Sequence, residues 1–410
     1  MRYFLPLISI FILASCQSQN TEANETGPEL PKGSFAATLD IQGEPLKFEF
    51  TLSDDPKVFI LLNGEEKFEI TDFTLTDDSL IVPLHIFDTQ LKAKYEDSTF
   101  TGHWIKNYAE GYLISFSAEP LEMVKESSDE LTSTQPVNLA SRYRVYFESE
   151  LEDSTVAVAE FRQDGAKLKG TFLTQTGDYR YLKGKVSGDL LRLTTFDGEH
   201  AFVFTGQVRT DGSIEGRFLS GKSWHETFMA YPDSIVELAD ASSLTYLKEG
   251  LSTLSFSGKD LQGKVFTNND PSLEGKPYVL QIMGTWCPNC MDETAYLSDW
   301  HKNNKPENLE VVSLAFERKD NFNYARERLQ VLKDEYDITY PLLFGGGYAK
   351  DEAAKKLPEL NTVIAYPTLV FFSASHEVTH IHTGFMGPGT GEHFERWKLD
   401  FEKRISEIAN

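Results

Sequence analysis

Two cysteines three positions apart, in Trp286-Cys287-Pro288-Asn289-Cys290, are the residues of this chain whose types and spacing carry recognisable chemistry. They follow the apolar run Tyr278–Met283, which reads as a buried strand, and they open a stretch that reads as a helix over 290–302. Disulfide exchange needs a thiolate, yet a free cysteine with a pKa of about 8.5 is mostly protonated at neutral pH. At a helix N-terminus the unpaired backbone N–H groups and the positive end of the dipole favour the anion. Cys287 holds that place and reads as the attacking nucleophile. Cys290, one turn further in, reads as the resolving thiol that breaks a mixed disulfide. Pro288 lacks an N–H and suits the first turn.

The chain has three cysteines, and the third stands near the start. Arg2, an apolar run over 4–13 and then Leu13-Ala14-Ser15-Cys16 form a segment too short to span a bilayer. Leu-Ala-Ser-Cys resembles the lipobox of bacterial lipoproteins, which implies a signal peptide over 1–15 and a lipid on Cys16. Export, with a lipid anchor on a bacterial membrane and a periplasm-facing chain, is the expected location. No cysteine remains to staple a scaffold, so Cys287 and Cys290 read as reactive and not structural. The formal charge of -24 makes nucleic acid and anionic membrane surfaces poor partners.

Positioning elements follow from the patterning. Residues 16–33 are polar and acidic and read as a flexible tether. Two blocks, 34–124 and 142–236, show short alternating segments with frequent turn signals, the pattern of antiparallel β-structure. Strands are expected over 35–41, 46–52, 58–62, 80–86 and 100–105, then over 143–148, 156–161, 168–173, 190–195, 201–206 and 214–219. Asp78-Ser79-Leu80, Phe87-Asp88 and Gly102-His103-Trp104 are echoed by Asp189-Leu190-Leu191, Phe196-Asp197 and Gly216-Arg217-Phe218, which suggests an internal duplication. The aromatic residues of these blocks read as core or cross-strand packing, with the lining of a ligand or peptide cleft as the alternative. Over 250–410 strands alternate with helices, so the fold expected is multidomain: an antiparallel all-β N-terminal region and a C-terminal α/β domain. Further elements expected there are helices over 322–336, 351–357 and 392–408 and strands over 309–316, 368–372 and 380–383.

The segment 250–410 resembles the thioredoxin superfamily, and within it the TlpA-like membrane-tethered thiol-disulfide oxidoreductases. The resemblance rests on Trp286-Cys287-Pro288-Asn289-Cys290 and on Tyr366-Pro367-Thr368, which matches the family's cis-proline loop. It implies that Trp286, Tyr366 and Pro367 help bind substrate. It also implies reduction of disulfides in exported proteins, with electrons from a membrane thiol reductase and no bound cofactor. Glu293 stands where several members carry a glutamate near the sulfurs. Where thioredoxin has a buried aspartate this chain has Gln281, which cannot act as a base, so Glu293 becomes the candidate for proton handling.

Other readings are weaker on the residues. A peroxiredoxin normally carries threonine three residues before its peroxidatic cysteine; here Gly284 stands there and Thr285 is displaced by one. A zinc site needs four ligands, and no second cysteine pair exists, so no metal is expected. His301 lies well down the helix, and His380 and His382 read as one polar strand face. Gly345-Gly346-Gly347 lacks a following Lys-Ser/Thr and reads as a loop. A binding lipoprotein with an inert thioredoxin-like scaffold is the remaining alternative.

Overall fold

Alternating apolar and polar residues build the N-terminal half. In Gly33–Ile41 the side chains of Phe35, Ala37, Leu39 and Ile41 turn inward while their neighbours face out. The computed structural model describes residues 31–76, 78–124, 135–148 and 155–409. The expected signal segment and Cys16 lie outside them.

The first sheet contains β1 (Gly33–Ile41), β2 (Glu44–Asp54), β3 (Lys57–Asn63), β4 (Glu66–Ile70), β5 (Thr74–Leu75), β6 (Ser79–Leu84), β7 (Thr89–Glu96), β8 (Thr99–Lys106) and β9 (Leu113–Pro120). Its order is β4-β3-β2-β1-β9-β8-β7-β6-β5, an antiparallel meander whose last long strand returns to pair with the first. The second sheet contains β10 (Arg142–Phe147), β11 (Thr155–Asp164), β12 (Lys167–Thr174), β13 (Gly177–Asp178), β14 (Leu182–Ser187), β15 (Leu190–Phe196), β16 (Ala201–Val208), β17 (Ile214–Ser220) and β18 (Trp224–Pro232). It follows the same course, and a β11–β12 pairing closes it into a barrel. The repeated sequence landmarks begin on β6 and β15 and end on β8 and β17. Those strands occupy matching places counted back from the closing strands β9 and β18.

The C-terminal sheet is built from β19 (Ser257–Lys259), β20 (Val265–Thr267), β21 (Tyr278–Met283), β22 (Glu310–Glu317), β23 (Leu342–Gly347), β24 (Thr368–Phe372) and β25 (Val378–Thr383). Their order is β20-β19-β23-β22-β21-β24-β25, with β21, β22 and β23 parallel. All six residues of β21 are buried, which is why that segment is apolar without alternation. The helices are α1 (Pro288–Asn303), α2 (Phe322–Tyr336), α3 (Lys350–Lys356) and α4 (Glu392–Ala409). Trp397, Phe401 and Ile405 of α4 are buried at helical spacing. The three glycines 345–347 do not form a loop; they end β23. An added Cβ at Gly345 would lie 3.0 Å from Leu314, and Gly346 has φ +150° where the register slips between Ala315 and Phe316.

The three bodies share cores and buried charge. Phe87, in a 3-10 turn of the first block, packs into the core of the α/β domain, and Phe196 and Val203 of the barrel belong to the core of the first sheet. Two polar joints bring all three together. Arg180 of the barrel, with 4% of its side chain exposed, pairs with Glu66 of β4, with Asp197, and with Asp292 of α1 at 3.0 Å. Glu199 of the barrel accepts hydrogen bonds from Lys106, at 2.9 Å, Tyr108, at 2.7 Å, and Arg318, at 2.6 Å. Burial of several charges with their partners makes these contacts specific, because removing one member leaves the others uncompensated.

Candidate active site

β21 ends at Met283, and the chain turns through Gly284 to Trp286 before α1 begins. Gly284 is required by a close approach: an added Cβ would lie 2.3 Å from the indole nitrogen of Trp286. Trp286 is held by donating from Nε1 to the carbonyl of Phe316 at 2.9 Å, and its ring meets Tyr348 and Tyr366 edge-on. Thr285 is tied to Glu317: its N–H donates to Oε1 at 3.0 Å and its hydroxyl to Oε2 at 2.7 Å. That hydroxyl is engaged away from the sulfurs, and no threonine fits at 284, so the threonine geometry of a peroxiredoxin is missing here.

Cys287 is the N-cap of α1. Its sulfur accepts from the backbone N–H of Cys290 at 3.3 Å, and its thiol donates to the carbonyl of Tyr366 at 3.4 Å. Capping by a side-chain acceptor is worth more when the acceptor is charged, so the same N–H stabilises a thiolate. Cys287 is 8% exposed and Cys290 fully buried, and no disulfide joins them. Burial pushes the Cys290 thiol well above the ordinary cysteine range, and the neighbouring Cys287 adds to this. The pair is therefore asymmetric: one sulfur is reachable and capped by a donor, the other is enclosed and proton-bound. The Tyr366–Pro367 bond is cis, the geometry the resemblance implies.

Glu293 lies one turn beyond Cys290, with none of its surface exposed. Gln281 Nε2 donates to its Oε2 at 2.9 Å, while Oε1 has no partner. Gln281 is fixed in turn by Ser313, whose hydroxyl donates to Gln281 Oε1 at 2.7 Å. Burial raises the Glu293 carboxyl to about 8 despite that hydrogen bond. A buried carboxyl raised to about 8 is, in its ionised form, a stronger base than an ordinary carboxylate, and that form, whose charge also raises the Cys290 thiol, is suited to take the thiol's proton.

Sequence reasoning did not foresee the barrel at this site. The side chain of Asn289, between the cysteines, donates to the carbonyl of Asp178 at 3.3 Å, and a Cβ on Gly177 would lie 2.1 Å from Asn289 Nδ2. Asp178 accepts from the N–H of Gly387 at 2.7 Å, which ties the same turn to the α/β domain again. A cavity of about 450 Å³ opens over Cys287, with Trp286, Asn289 and residues 364–366 on one side and barrel residues on the other. Tyr179, Phe202 and Phe218 do pack in the barrel, as period-two aromatics should, but the same rings also line this cavity.

His380 and His382 on β25 and Asp400 on α4 are the group of possible metal ligands found among the described residues, with ligand atoms within 4.8 Å of one another. Asp400 also pairs with Arg404 at 3.2 Å, which already answers its charge, and neither cysteine takes part.

Residues 250–381 match the model of the AhpC/TSA family. The C-terminal domain is thioredoxin-like. Thiol-disulfide oxidoreductase ResA of Halalkalibacterium halodurans is 25% identical over 152 residues, 36% of this chain and 75% of that protein. ResA of Bacillus subtilis is 23% identical over 140 residues, 34% of this chain and 70% of its own length. A thioredoxin-family thiol:disulfide interchange protein of known structure from Chlorobium tepidum is 22% identical and covers 39% of this chain and 96% of its own, with a TM-score of 0.30. Each similarity covers well under half of this chain. No helix among the described residues is long and apolar enough to cross a membrane.

Proposed function

We propose that the thioredoxin-like domain is a thiol-disulfide oxidoreductase that reduces disulfides of exported proteins through Cys287 and Cys290. The observation that carries this reading is the capped sulfur of Cys287, held by the Cys290 N–H at 3.3 Å with the buried second thiol one turn on. The Cys287 thiolate attacks one sulfur of the substrate disulfide, forming a mixed disulfide and expelling the other sulfur as a thiolate. The ionised form of Glu293 takes the Cys290 proton; the Cys290 thiolate then attacks the Cys287 sulfur and expels the second substrate sulfur as a thiolate, which picks up a proton. Two electrons pass to the substrate and the enzyme is left with a Cys287–Cys290 disulfide. A membrane thiol reductase restores the dithiol. Trp286, Tyr366 and Pro367 frame the approach to Cys287. Export and a lipid on Cys16 would keep the domain at a membrane, on the strength of the Leu13-Ala14-Ser15-Cys16 segment.

Insulin reduction in the presence of dithiothreitol tests the reading. Wild-type protein should accelerate it and Cys287→Ser should not; equal rates would leave the thioredoxin-like domain as an inert scaffold.

A further inference from the structure

Only part of the surface around Cys287 is open, and the barrel decides which part. The turn at Gly177 and Asp178 lies directly on Asn289, so approach across the residues between the cysteines is closed. What remains is the 450 Å³ cavity between the 364–366 segment and the barrel wall, with Phe202, Phe218 and Trp224 on that wall. This volume falls within the roughly 300–1,000 Å³ of small-ligand clefts, whereas docking a folded protein takes about 800 Å² of accessible surface on each partner. The wall is not a loose lid: the Arg180–Asp292 and Glu199–Arg318 ion pairs fix the barrel to the α/β domain.

We propose that the barrel is the substrate-selecting wall of the dithiol site, and that the site takes a disulfide carried on an extended polypeptide segment with apolar side chains flanking the cysteine. The inference rests on the reading of Cys287 as the nucleophile and adds the class of substrate. An extended strand is slender enough to enter the cleft and can run out past its mouth. Trp224 stands where that strand leaves, a large apolar side chain 59% exposed to solvent that gains by covering a neighbouring apolar residue. The aromatic wall favours Phe or Leu beside the cysteine; of the basic groups lining the cleft, His200 is already paired with Asp197 at 3.2 Å, and burial works against the charge of Lys350 on the opposite side, so an acidic side chain gains less.

The test uses the full chain with dithiothreitol as electron source and four oxidised substrates. Two are short unstructured peptide disulfides, one with Phe and Leu flanking the cysteine and one with Asp at both positions. The third is a folded domain with a surface disulfide, and the fourth is cystine. The apolar-flanked peptide should exceed the acidic one in kcat/KM by about tenfold or more, the effect of covering one large apolar side chain. Trp224→Ser should shrink that ratio, mainly through KM, and the ratio cancels any general loss of activity. The proposal is overturned if the folded domain or cystine is reduced as fast as the apolar peptide, or if Trp224→Ser leaves the ratio unchanged. Failure of every substrate to exchange with Cys287 would instead overturn the oxidoreductase reading beneath it.

Discussion

Replacing Glu293 with glutamine keeps the shape of the side chain and its acceptor for Gln281 Nε2, and removes a carboxyl that burial raises from an ordinary 4.5 to about 8. In the native protein this group holds its proton up to pH near 8, and in the unfolded chain it loses it near 4.5. Across that window the unfolded state binds fewer protons, so the stability associated with Glu293 is complete below about pH 4.5 and is lost as pH rises through about 8. At about 1.36 kcal/mol per pH unit the interval is worth about 5 kcal/mol once the group is fully ionised. Exposure does not reduce the figure, because none of the side chain reaches solvent. Glu293→Gln has no such dependence. Asp292, also raised chiefly by burial, is present in both proteins and cancels in the difference. Urea unfolding at pH 5, 6, 7, 8 and 9 should show the variant gaining on the wild type by several kcal/mol towards alkaline pH. Some of that gain is offset at every pH by the new amide N–H at the site of the unpartnered Oε1, a cost of about 1–3 kcal/mol. The same variant should slow the step in which Cys290 resolves a mixed disulfide, by about 10²-fold if the carboxyl takes its proton. Parallel stability curves across the pH range would refute the buried, proton-bound carboxyl, and with it the proton route.

Two further substitutions probe the scaffold that holds the site. Arg180→Met should cost about 3–5 kcal/mol, because Glu66, Asp197 and Asp292 are left around an apolar side chain; a loss below about 1 kcal/mol in urea unfolding would show that the joint is not a compensated cluster. Gly184→Ala should destabilise the barrel by about 1–3 kcal/mol, since its Cβ would lie 1.8 Å from the carbonyl of Arg192 on the neighbouring strand. Unchanged thermal unfolding of that variant would contradict the close pairing of β14 and β15.

The sequence made the chemistry more legible than the architecture around it. Cys287, Pro288 and the apolar β21 announce a helix start by local rules of capping and burial, and α2 falls on residues 322–336 as the periodicity predicts. Strands with a strong apolar face, such as β1 and β2, were readable from alternation. β18 was not, because only Phe228 and Ala230 of its nine residues are buried, and β5 and β13, two residues each, leave no periodic signal. Three glycines in a row look like a loop, yet β23 needs them to pass Leu314 and Phe316 closely. The roof over Cys287 was beyond local reading altogether. Gly177-Asp178-Tyr179-Arg180 has the composition of an ordinary turn, and its role comes from Asn289, Asp292 and Gly387, more than a hundred residues away. Glu317 was a missed signal of another kind: a charge ending an apolar run, where it holds Thr285 and so orients the turn before Cys287.

Trapping the first covalent intermediate tests the central claim most directly. Cys290→Ser protein, mixed at neutral pH with an oxidised peptide and digested for mass spectrometry, should carry one half of the peptide on Cys287 as a persistent mixed disulfide. If no adduct forms on Cys287 while Cys287→Ser protein still exchanges with the peptide, the assignment of the attacking sulfur is wrong.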